Sequence, residues 1–491
     1  MTDMKPRPAS PHTEADAALR PAALARGTEA EAQAEPEEAT TANAADRSES
    51  PNRYVPALRR IEAEERARRR LRRLRLDPFK PLRRVTRTGW WPYMALMGPG
   101  IVAAAAGDDA GGIATYASVG AMYGYKLLWA MVLVTISLVL VQEMCARMGA
   151  VTGKGLTDLI REQFGVGWTL FVVLIVLIAN TGVTASEFVA VAAVANLVGI
   201  PGWLAVPPVA FLIWWLVVKG SYHRVEKVFV LLSLALFSYV AAAFLAKPDW
   251  AEVGRAFVTP TIIWEAPALQ ILVALIGTTI TPYMQIIVQS SVVEKGVTPR
   301  DYKYTRFDTV FGAIMSDVIA VFIIIATAAT LHAAGTTSIE TAADAARALE
   351  PAAGQFAALL FSAGLLGASM LAAGVLPLAT AYSVTEALGF EKGVSMSFEE
   401  APVFVGLFTV LVGVGAAIAM IPGLPFFAVL IAVQVLNGAL LPILLVFVVK
   451  LASDKQIMGE HAIGPVYKVL AWATVLLIST AVVLMFLTMF L

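Results

Sequence analysis

The chain has 491 residues, of which 58% are hydrophobic and only 15% are charged, and its formal net charge is zero. Soluble proteins carry about 25% charged residues, so this composition and the recurring apolar segments indicate a polytopic membrane protein. The chain has one cysteine and four histidines, and no histidine lies in the middle of an apolar segment. This excludes a disulfide framework and a cysteine cluster, and it argues against a metal site or proton relay built from histidines.

The N-terminal region is polar. Residues 1–52 are rich in Ala, Glu, Pro, Thr and Ser, so we expect them to be disordered. Residues 53–87 include the basic run Arg66–Arg75, which is either a helix lying on anionic lipid or, as we favour, a cytoplasmic flank that only fixes topology. We therefore predict a tail with a basic juxtamembrane segment over residues 1–88 and a transmembrane domain over residues 89–491.

Apolar segments follow one another from Trp90 to the C-terminus. They predict an all-α fold of about eleven transmembrane helices, several of them longer than the ~20 residues that a straight span needs. The predicted spans lie near residues 93–122, 127–147, 168–197, 203–218, 228–246, 268–294, 310–332, 356–388, 402–421, 425–450 and 466–491. We expect the first five (about 93–246) and the next five (about 268–450) to form two repeats, with an extra helix at 466–491.

The distribution of basic residues predicts the orientation. If the N-terminus is cytoplasmic, the inner loops carry fourteen Lys and Arg and the outer loops carry four. Positive charge is enriched in cytoplasmic loops, so we expect a cytoplasmic N-terminus and an outward C-terminus in the plasma membrane.

Two spans are interrupted. The first contains Gly107–Gly112, which places two adjacent acids and three glycines inside an apolar segment, and the sixth contains Pro282 behind a Thr-rich stretch. Glycines, a proline and buried acids are each costly in a lipid-facing helix. Interrupted helices at matching positions of two repeats indicate the central site of a transporter, where unwound carbonyls coordinate cations.

Other polar residues inside spans have two readings each. We interpret Glu143, four residues before Arg147, and Glu386 as structural. Glu187 and Asp317 are either accessory to the site or satisfied contacts between helices. Gln434 and Asn437 share one helix face and either join helices or offer oxygen to an ion.

The stretch from Gly98 to Leu159 resembles the NRAMP divalent-metal transporters, and we expect the likeness to cover residues 90–450. It implies a LeuT-like 5+5 inverted repeat with broken helices 1 and 6. The family's first-helix motif Asp-Pro-Gly-Asn reads Asp109-Ala110-Gly111-Gly112 here, so the Asn ligand has become Gly112. The sixth-helix motif Ala-x-x-Met-Pro-His reads Thr278 to Tyr283, so the Met ligand has become Thr281 and the His has become Tyr283.

With these departures, the motifs of this chain are similar to those of the NRAMP-related magnesium transporter branch. A thioether favours soft transition metals, whereas Mg²⁺ takes only oxygen ligands and keeps most of its water. The resemblance implies Asp109 as the charged ligand and Thr281 and the backbone at Thr278 as oxygen donors, in a site widened at Gly112. Second-rank candidates are Gln285, Gln434 and Asn437.

We therefore expect a carrier of Mg²⁺ and Mn²⁺ that is not proton-coupled, is not an enzyme and needs no cofactor. Its expected partners are the ions and the lipid bilayer, with no nucleic acid, and the sequence leaves its oligomeric state open. The nearest alternative is a proton-coupled Mn²⁺/Fe²⁺ transporter, followed by a sodium-coupled organic-solute symporter. An intramembrane hydrolase is the most distant alternative, because Asp108 and Asp109 are neighbours and cannot readily converge across a cavity.

Overall fold

A computed structural model of the protein describes residues 108–219, 234–300, 302–393, 396 and 398–490. Every regular element in these ranges is helical. The predicted disordered tail, the basic juxtamembrane segment, the first part of the first span and the beginning of the fifth all lie outside the described residues.

The first half of the chain contains five of the predicted apolar helices and two short ones. The helices are α1 (Ala110–Tyr123), α2 (Leu128–Thr152), α3 (Leu156–Phe164), α4 (Val166–Leu197), α5 (Gly202–Val218), α6 (Ser238–Leu245, after a 3-10 turn at Leu234–Phe237) and α7 (Trp250–Val258). The nine-residue helices α3 and α7 were not among the predicted spans, because each is too short and too polar to cross a bilayer. They lie in the connections between spans.

The second half contains the remaining predicted spans. Its helices are α8 (Ala266–Thr279), α9 (Pro282–Glu294), α10 (Tyr302–Thr327, continued by a π-helical turn at Ala328–His332), α11 (Ala342–Ala346), α12 (Glu350–Ala353), α13 (Ala357–Leu388), α14 (Pro402–Ala419), α15 (Phe426–Ser453), α16 (Lys455–Met458) and α17 (Pro465–Phe490). Helix α10 begins eight residues before the predicted position. Its first turns are polar, and hydropathy marks the apolar part of a helix rather than its end.

Eight helical segments in the described ranges are long and apolar enough to cross a membrane. Two shorter apolar helices, Gly202–Val218 and Ala235–Leu245, stand at the predicted fourth and fifth spans. With α1, the described part of the first span, these segments account for all eleven predicted spans. The sixth is divided into α8 and α9, as its proline predicted.

Glycines bring α8 and α15 into backbone contact. A Cβ added to Gly277 would lie 2.2 Å from the carbonyl oxygen of Gln434, and one added to Gly438 would lie 2.3 Å from the carbonyl oxygen of Val273. Small residues are the usual means by which membrane helices approach this closely. The contact places the polar residues of α15 beside the C-terminal end of α8.

Candidate metal-binding site

The gap between α8 and α9 is two residues long. Ile280 and Thr281 leave the helical conformation, with Thr281 at φ −73° and ψ 145°, and Pro282 opens α9. Proline has no amide hydrogen and disfavours a helical conformation in the residue before it, so it ends one helix and begins the next. The last carbonyls of α8 therefore lack helical partners at a point inside the protein.

Asp109 occupies the corresponding position ahead of α1. Its backbone is extended (φ −68°, ψ 175°), and its Oδ1 accepts a hydrogen bond from the amide of Gly112 at 2.6 Å. The side chain is fully buried, and Oδ2 has no hydrogen-bond partner among the described residues. One carboxylate oxygen is thus held by the helix it caps, while the other remains unpaired.

Two side-chain amides of α15 form a series of hydrogen bonds that begins at this carboxylate. Gln434 Nε2 donates to Asp109 Oδ1 at 3.4 Å, and Asn437 Nδ2 donates to Gln434 Oε1 at 2.8 Å. Both side chains are fully buried, and they lie on the same helix face, as their spacing predicted. The structure therefore brings Asp109, Gln434 and Asn437 together in one line of hydrogen bonds.

The other predicted ligands are not hydrogen-bonded through their side chains to Asp109. Thr278 follows Gly277, whose backbone lies against Gln434, so Thr278 is next to this line. Gln285 Nε2 donates to the carbonyl oxygen of Thr281 at 3.3 Å, which joins those two residues to each other but not to Asp109. Gly112 presents an N–H to Asp109 and has no side chain to offer.

Several buried oxygens near the start of α1 and the break between α8 and α9 have no hydrogen-bond partner among the described residues. They are Asp109 Oδ2, Glu187 Oε1, Thr278 Oγ1, Thr281 Oγ1, Gln285 Oε1 and Asn437 Oδ1. Buried polar atoms are nearly always paired, so a concentration of unpaired oxygens calls for a further partner. Carboxylate, hydroxyl and amide oxygens are the ligands of hard cations. The described residues contain no cluster of three or more His, Cys, Asp or Glu side chains that could instead form a conventional metal site.

Glu187 lies closer to the site than the sequence could establish. Its Oε2 accepts a hydrogen bond from the amide of Ala110 at 3.3 Å, directly after Asp109, and the side chain is fully buried. The sequence showed an acid within the third span, but the direction of its side chain depends on how α4 is rotated. Gly111, which lies under Gln434, was also not identified as a site residue.

Asp108 and Met284 are directed to other partners. Ser316 Oγ donates to Asp108 Oδ1 at 2.9 Å, so Asp108 bonds to α10, whereas Asp109 bonds to α15. Gln142 Nε2 donates to the sulfur of Met284 at 3.6 Å. The sulfur of Met284, two residues after the proline that opens α9, is therefore bonded to α2.

The two acids interpreted as structural are bonded to residues of other helices and loops. Glu143 pairs with Arg147 at 2.6 Å and also accepts hydrogen bonds from Tyr467 (2.7 Å) and Tyr302. Glu386 accepts from Thr157 at 2.7 Å and from Ser290 at 2.9 Å, and it lies 3.3 Å from the Lys392 ammonium. These bonds connect several helices and support the structural interpretation.

Comparison with known proteins gives consistent results. The sequence model of the Nramp family, described as "Natural resistance-associated macrophage protein-like", matches residues 100–488. The divalent metal cation transporter MntH of Klebsiella pneumoniae is 29% identical over 267 residues, which are 52% of this chain and 64% of that protein. The MntH protein of Yersinia pestis is 28% identical over 285 residues, which are 56% and 67%. The chain thus spans somewhat less than two thirds of the first of these relatives.

Solved structures show the same fold. The manganese transporter of Eremococcus coleocola superposes with a TM-score of 0.67 at 19% identity, covering 81% of this chain and 87% of that one. MhsT in complex with L-phenylalanine superposes with a TM-score of 0.55 at 13% identity, covering 79% and 98%. The chain has the all-helical LeuT-like fold that the sequence predicted.

Proposed function

This chain belongs to the Nramp family, and from that premise we propose that it carries divalent metal cations, with Mg²⁺ and Mn²⁺ as its substrates, across the plasma membrane. The observation that carries the proposal is the set of buried oxygens without hydrogen-bond partners among the described residues, at the start of α1 and at the break between α8 and α9. A dication that leaves water needs oxygen ligands and negative charge, and Asp109 supplies both at the start of α1.

The preference for a hard ion rests on the chemistry of the donors. Thr281 offers a hydroxyl at the position where the resembled motif has a methionine, and the sulfur of Met284 bonds to Gln142. Removing sulfur from the donor set removes the ligand that favours Cd²⁺ and other soft ions. Hydroxyl and amide oxygens accept either the ion or its bound water, which suits Mg²⁺ and Mn²⁺.

The proposal that uptake is not coupled to protons rests on residues that differ from those of the resembled motifs. Tyr283 stands where the resembled sixth-helix motif has a histidine. Proton-coupled members of the resembled family also carry the pattern Asp-x-x-Glu in the third helix and arginines in the ninth. Here the third-helix pattern begins with Thr184 and keeps only Glu187, and helix α14, Pro402–Ala419, contains no basic residue. A proton route through these positions would have Glu187 as its one remaining carboxylate.

The second candidate is a proton-coupled Mn²⁺/Fe²⁺ transporter, and one observation favours it. Glu187 is bonded to the amide that follows Asp109, so an acid that could take a proton lies next to the proposed ion ligand. The two candidates share the site and differ in the ion and in the fate of protons.

A flux assay in proteoliposomes tests the proposal. Purified protein is reconstituted, and uptake of Mg²⁺, Mn²⁺, Ca²⁺ and Zn²⁺ is measured against protein-free vesicles. We expect protein-dependent uptake of Mn²⁺ and Mg²⁺ without an imposed pH gradient. Uptake of none of the four ions would contradict the proposed function, and uptake of Mn²⁺ that ignores millimolar Mg²⁺ would favour the second candidate.

A further inference from the structure

A cavity of about 420 Å³ lies where α15 ends and α17 begins, away from the proposed ion site. Lys450 and Ser453 of α15, Lys468 and Trp472 of α17, and Phe164 at the end of α3 are among its lining residues. Helix α3 thus meets the connection between α15 and α17, and together they line one open space at the ends of two apolar helices.

The cavity has two positive charges without ion-pair partners among the described residues. Lys450 Nζ lies 5.9 Å from the ring centroid of Phe164, and Lys468 lies one turn before Trp472 on the same face of α17. Asp454 also lines the space, but its Oδ1 accepts a hydrogen bond from the amide of Gln456 at 2.7 Å and so caps α16. The cavity is therefore net positive, and its acid is engaged elsewhere.

The surroundings of the cavity match a membrane interface. One turn beyond Trp472 on the same face of α17, Leu476 is 69% exposed, and further along Val483 is 55% exposed, on an apolar helix long enough to cross a bilayer. Tryptophan and lysine near the end of such a helix are typical of the headgroup region. Acyl chains would cover Leu476 and Val483, while a headgroup attached to them would reach the cavity.

We propose that this cavity binds the headgroup phosphate of an anionic phospholipid. Lys450 and Lys468 contact the phosphate, and the indole N–H of Trp472, which makes no hydrogen bond within the described residues, is available to donate to it. The hydroxyl of Ser453 donates to the carbonyl of Val449 at 2.6 Å, so it shapes the space rather than binding the ligand. Basic pockets between membrane helices bind anionic headgroups in this way.

A lipid, rather than free phosphate, is the occupant because the cavity adjoins an exposed apolar helix surface. The phosphate would be held by the two lysines, and the acyl chains by the exposed apolar surface of α17 beyond Trp472. The bound lipid would therefore join α3, α15 and α17, which contribute lining residues but share no ion pair in the described part of the chain.

Native mass spectrometry of the full chain in detergent tests this. Phosphatidylglycerol and phosphatidylcholine with identical acyl chains are titrated into wild type, Lys450→Gln, Lys468→Gln and the double variant. One basic residue near an anionic headgroup changes affinity by roughly fivefold, so we expect about fivefold weaker phosphatidylglycerol binding in each single variant and about 25-fold in the double variant. Lys455→Gln, a matched loss of charge in the same connection but outside the cavity lining, should leave binding unchanged.

The outcomes separate clearly. Equal binding of the two lipids by wild type, unchanged phosphatidylglycerol binding in the double variant, or an equal loss in Lys455→Gln would each overturn the proposal. Displacement of phosphatidylglycerol by millimolar inorganic phosphate alone would show an anion site rather than a lipid site. If the double variant does not fold, as judged by its melting temperature in phosphatidylcholine, the single variants decide. The readout involves no metal transport, so it is independent of the proposed function.

Discussion

The side chain of Gln434 lies directly on Gly111: a Cβ built on that glycine would be 2.0 Å from Nε2 of Gln434. No real Cβ contact is that short, so even a methyl group would displace the amide. Since Gln434 also bonds to Asp109, the absence of a side chain at Gly111 positions the amide of α15 beside the carboxylate of α1.

Gly111→Ala should therefore weaken metal uptake while the protein still folds. We expect about a tenfold loss of apparent Mn²⁺ affinity, because Gln434 and the Asn437 bonded to it move away from Asp109. The measurement is the concentration dependence of Mn²⁺ uptake in proteoliposomes. Gly413→Ala, in helix α14, is the matched control, since a Cβ added there would meet no atom within 4 Å. Equal uptake by the two variants would contradict the role of Gly111.

Asp109→Ala should abolish transport, and Asp108→Ala should cost less. Asp109 accepts a hydrogen bond from the Gln434 amide of α15, whereas Asp108 accepts one from Ser316 on α10. Neutral ligands alone do not offset the dehydration of a dication. Uptake and Mn²⁺ binding by calorimetry are measured for both variants, with the melting temperature as the check on folding. If transport survives in Asp109→Ala and is lost in Asp108→Ala, the ion ligand is Asp108 and the assignment of Asp109 is wrong.

Metal uptake should not acidify the vesicle interior. The positions at which the resembled motifs carry a His and an Asp are Tyr283 and Thr184, and α14 has no basic residue. A pH-sensitive dye inside proteoliposomes reports proton movement during Mn²⁺ uptake, with protein-free vesicles as the baseline. Acidification well above that baseline that disappears in Glu187→Gln would instead assign Glu187 to a proton route.

Thr281→Met should shift selectivity from Mg²⁺ toward Cd²⁺ and Mn²⁺. The hydroxyl of Thr281 is unpaired and buried, and a thioether in its place offers soft donation that Mg²⁺ cannot use. A tenfold change in relative affinity needs only about 1.4 kcal/mol, which one ligand can supply. Mn²⁺ uptake is measured against rising Mg²⁺ and Cd²⁺ in both proteins. Met284→Leu serves as the control, because its sulfur bonds to Gln142 and its loss should leave the Mg²⁺/Cd²⁺ preference unchanged.

Labelling of single cysteines tests the orientation of the chain in the membrane. Ser338 and Glu391 are both exposed, in connections that the loop charges place on opposite sides of the membrane, and the native Cys145 is fully buried. A membrane-impermeant maleimide should label Ser338→Cys from outside intact cells and Glu391→Cys only after the cells are opened. Labelling of both from the same side would show that the number of spans between them is wrong.

Much of the site could be predicted because its components are local. The proline at residue 282 divides α8 from α9, and the acids at the start of α1 coincide with extended backbone. Pairing of Glu143 with Arg147 also followed from spacing alone. The direction of Glu187 could not be predicted, because a helix that is apolar on every side gives no sign of which face meets its neighbours.

The sequence by itself determined the all-helical membrane class of the chain, the position of its apolar segments and the interruption of the sixth at Pro282. These properties follow from the length of apolar segments and from glycine, proline and acidic residues within them. Only the tertiary structure decided that Gln434 meets Asp109 across 325 residues of chain and that Glu187 bonds beside it. Such contacts depend on the rotation and closeness of packed helices, which glycines such as Gly111, Gly277 and Gly438 permit.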